Sequence, residues 1–157
     1  MLTTVALGAG AGVSILSPVL VLAGVISTSR ALDSSALAAL GVGLLAAGLG
    51  ITVKAQLDMG ASWRIGVDPG ERTALATRGL YRHVRNPIYT GMVLVWIGEA
   101  LLVPNALSLA GTLLMIAAME TVVRGVEEPY LLGAHGEGYR AYARSVGRFV
   151  PGIGRLL

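Results

Sequence analysis

The stretch Gly79-Leu80-Tyr81-Arg82-His83-Val84-Arg85-Asn86-Pro87-Ile88-Tyr89-Thr90-Gly91 is cationic and aromatic, and it runs directly into an apolar helix. Proline has no N–H and pushes the residue before it out of the α region. The helix therefore starts at or just after Pro87, with Asn86 placed as its N-cap. The first N–H groups of that helix face the polar side, where they can bind a carboxylate. A second polar cluster, Arg124-Gly125-Val126-Glu127-Glu128-Pro129-Tyr130-Leu131, follows the next apolar helix. Two charged clusters flanking one helical hairpin meet at one membrane face and can build a site for a charged small molecule at the bilayer edge. The plainer use of the first cluster is topogenic, with arginines and tyrosines marking the membrane boundary.

Working outward, the composition demands a membrane. The chain has 157 residues, 54% hydrophobic and 13% charged, with a mean hydropathy of +0.72. Soluble domains carry roughly 25% charged residues. The apolar residues also come in long blocks, as membrane spans do. Segments at about 3–27 (interrupted by Pro18), 34–57, 89–103 and 105–123 are each near the ~20 residues that cross a ~30 Å core, the third being short. The sequence thus predicts an all-α polytopic protein: one integral-membrane domain over 1–157 with four spans, a loop at 58–88, a tail at 127–157 and an interfacial C-terminal helix. The first segment lacks a basic leader and is too long for a signal peptide, so it reads as a retained span. Pro104-Asn105 is a turn dipeptide that makes the last two spans an antiparallel hairpin.

Charge sets the orientation. The middle loop holds Arg64, Arg72, Arg78, Arg82 and Arg85. The end of the fourth span and the tail hold Arg124, Arg140, Arg144, Arg148 and Arg155, while the other side has only Arg30. The positive-inside rule then places both termini and the middle loop in the cytoplasm, which an even number of spans also requires. The formal charge of +3 reads as topology and attraction to lipid headgroups. The cations are not interleaved with exposed aromatics, so nucleic acid is excluded as a partner. With no cysteine there is no disulfide and no thiolate nucleophile. Glycines at 8, 10, 12, 41, 43, 48 and 50 suit close helix packing, with a homodimer interface as the alternative.

Other polar residues carry less. Trp63 and Arg64 read as an interfacial anchor, or, with Ser62 and Asp68, as one wall of a ligand site. His83 and His135 stand apart and make no metal site. Glu99 is a carboxylate inside the third span: a functional group, or one that sits near the far interface. Arg124 lies four residues from both Glu120 and Glu128, on one helical face. The paired carboxylates Glu127 and Glu128 can bind an ammonium or ribose hydroxyls, or simply cap the hairpin. In the tail, Tyr139 and Tyr142 share a face of a helix expected to lie on the membrane surface, with Arg148-Phe149-Val150-Pro151 as its anchor.

The ordered set Gly79-x-Tyr81-x-x-x-Arg85-Asn86-Pro87-x-Tyr89-x-Gly91, Glu127-Glu128-x-x-Leu131, Gly136-x-x-Tyr139-x-x-Tyr142 and Arg148-Phe149-x-Pro151 resembles the isoprenylcysteine carboxyl methyltransferases and their relatives, the phospholipid N-methyltransferases. The resemblance covers about 79–151. It implies an integral-membrane enzyme that uses S-adenosylmethionine, bound at the cytoplasmic side by Tyr81, Arg85, Asn86, Pro87, Tyr89, Glu127, Glu128 and Leu131. It also implies that Arg124 and Glu128 serve catalysis or acceptor binding. The acceptor would be a lipid or isoprenoid-type molecule entering from the bilayer, methylated on a carboxylate or an amine. This chain departs from the family's Arg-His-Pro by having Asn86, which can hydrogen-bond but cannot be protonated; the alternative imidazole is His83, which at a helix start points elsewhere. Methyl transfer from a sulfonium is an in-line displacement in which alignment does most of the work. Arg124 could grip an acceptor carboxylate through a bidentate pair, and Glu128 could orient it or accept a proton. The competing readings are an NADPH-dependent sterol-type membrane reductase, for which the chain is short, and a non-enzymatic scaffold or small transporter, which would spread polar residues through the spans.

Overall fold

The computed structural model describes residues 2–60 and 74–156; Ser62, Trp63, Arg64 and Asp68 lie outside the described residues. Among the described residues the regular elements are helical, as the sequence predicts: α1 (Leu2–Leu22), α2 (Ser35–Met59), α3 (Pro87–Leu102), α4 (Ala106–Val122), α5 (Glu128–His135) and α6 (Glu137–Ser145). Short 3-10 turns occupy Arg30–Leu32 and Gly79–Arg82, and a π turn occupies Val123–Glu127. Through that turn α4 and α5 form one 30-residue helix, Ala106–His135. This helix and α2 are long and apolar enough to cross a membrane, whereas Pro87–Leu102 and Ala11–Leu22 are shorter apolar helices. Large aliphatic side chains such as Ile15, Val19, Leu49, Val53, Leu109 and Leu113 face outward from these helices. A soluble protein rarely exposes so many large apolar side chains, and a lipid environment would cover them.

The first helix ends earlier than the expected 27. At Gly24 the chain takes φ +70°, and the N–H groups of Gly24 and Val25 bond back to Val21 and Leu20. This is the left-handed closure that glycine allows after a helix.

The chain divides into two compact units, Met1–Leu49 with Met92–Thr121 and Gly50–Gly91 with Val122–Leu157. Within the first, helices approach through small residues. A Cβ on Gly41 would meet the Gly98 carbonyl at 2.8 Å, and one on Gly98 would meet that of Gly41 at 2.6 Å. Gly111 packs in the same way on Ser14. Of the glycines that the sequence singles out, Gly41 therefore makes a close approach, while Gly12, Gly43 and Gly50 face open space. The α3–α4 turn is a reciprocal cap: Asn105 Oδ1 accepts the N–H groups of Leu107 and Ser108 at 2.9 and 3.0 Å, and Ser108 Oγ accepts that of Asn105. Asn105 also bonds Ser17 of α1.

Within the second unit, the end of α2 holds the turn that leads into α3. Asp58 pairs with Lys54 and accepts the N–H of Leu80 at 2.9 Å. Gly79 has φ +57°, and a Cβ there would run into the Asp58 carboxylate, so the position requires glycine on both counts. Val84 pairs with Gly147 in a short parallel bridge. The N–H groups of Arg85 and Asn86 donate to the carbonyls of Gly147 and Arg148 at 2.8 and 3.0 Å. The tail is thus threaded against the start of α3. Helix α6 is amphipathic as the sequence predicts, but its apolar face is turned into protein: Tyr139 and Ala143 are fully buried.

Candidate functional site

The second unit gathers the motif residues from three separate stretches of sequence. At its centre is a buried ion cluster. Arg85 is 5% exposed, Glu128 7% and Arg148 8%. Glu128 Oε1 accepts Arg85 Nη2 at 2.7 Å and Arg148 Nε at 2.8 Å, and its Oε2 accepts Arg148 Nη2 at 3.0 Å. Arg85 also donates to the carbonyls of Ala143, Val146 and Gly154. One carboxylate shared by two guanidiniums, with backbone carbonyls taking further donors of Arg85 Nη1 and Nη2, is the arrangement that makes a buried charge tolerable. The cluster ties the start of α3, the start of α5 and the tail together.

Beside it lies a more open pair. Tyr89, on the first turn of α3, donates its hydroxyl to Glu127 Oε1 at 2.5 Å, and both residues are half-buried. Tyr81 is 4% exposed, and its hydroxyl is buried without a hydrogen-bond partner, as is Arg85 Nε. Burial pushes the Tyr81 phenol above its ordinary range, and the nearby charges of Asp58 and Glu127 push the same way. The hydroxyl of Tyr142 donates to the Tyr81 carbonyl at 2.6 Å. Tyr139, edge-on to Tyr142 with ring centroids 6.3 Å apart, is pushed by burial up to about 12, with Glu128 acting in the same direction and Arg85 and Arg148 opposing it. Both phenols stay protonated at neutral pH.

The remaining nominated residues are placed as follows. Asn86 donates its side-chain amide to the Arg148 carbonyl at 3.2 Å, and its own carbonyl accepts the N–H of Thr90. Pro87 opens α3 and is fully buried. Leu131 is half-buried on α5, and His83 is exposed. Arg124 is exposed on the π turn while Glu128 is buried. The sequence reading puts these two on one helical face. The π turn adds a residue between the helices and changes the register by which α5 follows α4, so Glu128 turns inward to Arg85 and Arg148. Arg148, whose two bonds to Glu128 complete the cluster, is not among the residues nominated for the site; its signal is the Arg148-Phe149-x-Pro151 motif, which the sequence reading takes as the anchor of the tail helix. Asp58, at the end of an otherwise apolar helix, has no distinguishing sequence signal.

Glu99 is half-buried on α3, and its Oε1 has no partner. A cavity of about 390 Å³ in the first unit, lined by Ser29, Ile97, Pro104, Asn105 and Thr112 among others, contains none of the nominated residues. Among the described residues no group of His, Cys, Asp and Glu could hold a metal ion.

A family model described as phospholipid methyltransferase matches residues 36–138. That range takes in both polar clusters and stops before Arg148. No curated protein matches the chain. Among solved structures, the fold is similar to that of the eukaryotic intramembrane Ras methyltransferase, isoprenylcysteine carboxyl methyltransferase, with a TM-score of 0.69 and 22% identity. The match covers 98% of this chain and 53% of that one, so the chain spans about half the length of that protein.

Proposed function

Because the chain belongs to the phospholipid methyltransferase family, we propose that it is an integral-membrane enzyme that moves a methyl group from S-adenosylmethionine to a lipid or isoprenoid-type acceptor taken from the bilayer. In this reading α1 to α4 are spans of one membrane domain. The 58–88 loop and the 127–157 tail are cytoplasmic, and α6 lies at the cytoplasmic interface.

The observation that carries the reading is the Tyr81–Tyr89–Glu127 grouping next to the start of α3. S-Adenosylmethionine presents a carboxylate, an ammonium and ribose hydroxyls. The residues fit it: Tyr81 has a buried donor with no acceptor, and Glu127 has an oxygen beyond the one that Tyr89 engages. The first N–H groups of α3 have no intrahelical acceptor and suit a carboxylate. Tyr81, Tyr89, Glu127 and Leu131 would hold the cofactor, with Arg85, Asn86, Pro87 and Glu128 fixing the frame on which they stand. When bound, the cofactor supplies an electrophilic methyl group on sulfur. Exposed Arg124 would grip an acidic group of the acceptor. Glu128, already claimed by two guanidiniums, acts through the position of α5 rather than as a proton acceptor. For an amine acceptor, the proton leaves to water.

Titration calorimetry with S-adenosylhomocysteine tests this, using the detergent-purified chain and its Glu127→Gln variant. Removing one charged hydrogen-bond partner costs ~1.5–3 kcal/mol, so the variant should bind roughly ten- to hundredfold more weakly. Well-folded wild-type protein that takes up no S-adenosylhomocysteine would overturn the proposal.

A further inference from the structure

The C-terminal turn beyond α6 has a feature that the methyltransferase reading does not use. Val150 and Ile153 are 50% and 66% exposed, yet the backbone that carries them is firmly held. Ile153 donates its N–H to Val150 and accepts that of Arg148, at 3.1 and 2.7 Å. Leu156 donates to Ala143, and Gly154 accepts from Arg85 at 3.0 Å. A rigid turn that holds two aliphatic side chains outward has no internal reason to do so, since burying them would stabilise it. Its depth is also fixed. The Phe149 carbonyl accepts the hydroxyl of Thr90 at 2.8 Å, so the turn sits level with the first turn of α3, where the apolar run begins. Arg155 is exposed and lies close to Gly152 of the turn, adding a cation beside the aliphatic pair.

We propose that the Phe149–Arg155 turn is a bilayer-contacting element that inserts Val150 and Ile153 at the headgroup–acyl boundary while Arg155 meets anionic headgroups. Aliphatic tips with adjacent cations are what an interfacial anchor requires. The partner is the phospholipid surface itself. α6 keeps its apolar face for Tyr139 and Ala143, and the anchor expected at Arg148–Pro151 extends through the turn to Arg155. Because Arg148 and Gly154 belong both to the turn and to the Arg85–Glu128 cluster, bilayer contact here also braces the frame of the candidate site. The inference rests on α3 being a span, but not on methyl transfer.

The chain has no cysteine, so a single introduced one labels uniquely. Ile153→Cys and Ala141→Cys, the latter on the exposed side of α6, would each carry an environment-sensitive fluorophore in nanodiscs containing anionic phospholipid. The Ile153→Cys label should emit at shorter wavelength than the Ala141→Cys label. It should be quenched by lipids brominated near the headgroup and shielded from aqueous iodide. Emission and iodide quenching equal to those of the Ala141→Cys label would overturn the inference. Failure of the chain to co-elute with nanodiscs would instead remove the span reading on which it rests. Blue-shifted emission without quenching by brominated lipid would also overturn it, by placing the residue against protein.

Discussion

Glu127 and Glu128 are adjacent in sequence but differ in physical role. Glu127 shares one short bond with Tyr89 and is half-buried. Glu128 is enclosed by Arg85 and Arg148. Removing one partner from a buried ion cluster leaves an uncompensated charge in a poorly solvated place, at a cost of about 3–5 kcal/mol. Arg148→Ala should therefore lower the unfolding temperature sharply and make the protein hard to purify. Glu127→Gln should melt like the wild type and lose only affinity for S-adenosylhomocysteine. Thermal unfolding of both variants in one detergent separates these outcomes. An Arg148→Ala protein as stable as wild type would mean that the tail is dispensable to the cluster. Which of two neighbouring glutamates is buried is not legible in the sequence, because adjacent carboxylates look alike until the helix register around them is known.

At the scale of the element, that register is set by the π turn Val123–Glu127. Nothing in Arg124-Gly125-Val126 announces it; the i, i+4 spacing of Arg124 and Glu128 suggests a regular helix with both on one face. The amphipathic α6 was legible as amphipathic, but periodicity cannot tell a face covered by protein from one covered by lipid. By contrast, the start of α3 was legible, because Pro87 is constrained by covalent geometry rather than by packing; the Asn86 side chain, expected as its cap, instead donates to the Arg148 carbonyl. The π turn can be tested directly. Gly125 is exposed, and a Cβ there would touch nothing, so deleting it removes no packing. Deletion would close the turn into ordinary α-helix, and because the turn absorbs one extra residue, Glu128 should keep its face toward its two arginines. Circular dichroism should show wild-type helix content, and S-adenosylhomocysteine binding should survive. Loss of binding in a well-folded deletion variant would show that the wide turn itself shapes the site.

For the whole molecule, the long apolar blocks made the helical membrane fold class legible, because insertion into a bilayer depends on summed hydrophobicity rather than on packing detail; the arginine bias carries an expected orientation. The contacts inside each unit were not accessible in that way: Gly98 and Gly111 carry close approaches, while of the glycines dense in the first two blocks Gly41 makes one and Gly12, Gly43 and Gly50 do not. The orientation can be tested in intact cells with a membrane-impermeant maleimide, again exploiting the absence of cysteine. Asp33, exposed in the α1–α2 connection, and Ala141, exposed on α6, fall on opposite sides if the first and last polar connections are separated by an odd number of spans. Asp33→Cys should react in intact cells and Ala141→Cys only after permeabilisation. If both react from outside, or both only after permeabilisation, the span count is wrong by one. If the pattern is reversed, the arginines at 78, 82, 85, 140 and 144 face away from the cytoplasm. The Tyr89–Glu127 pair, at the same end of α3 as that loop, would then be cut off from a cytoplasmic supply of methyl donor.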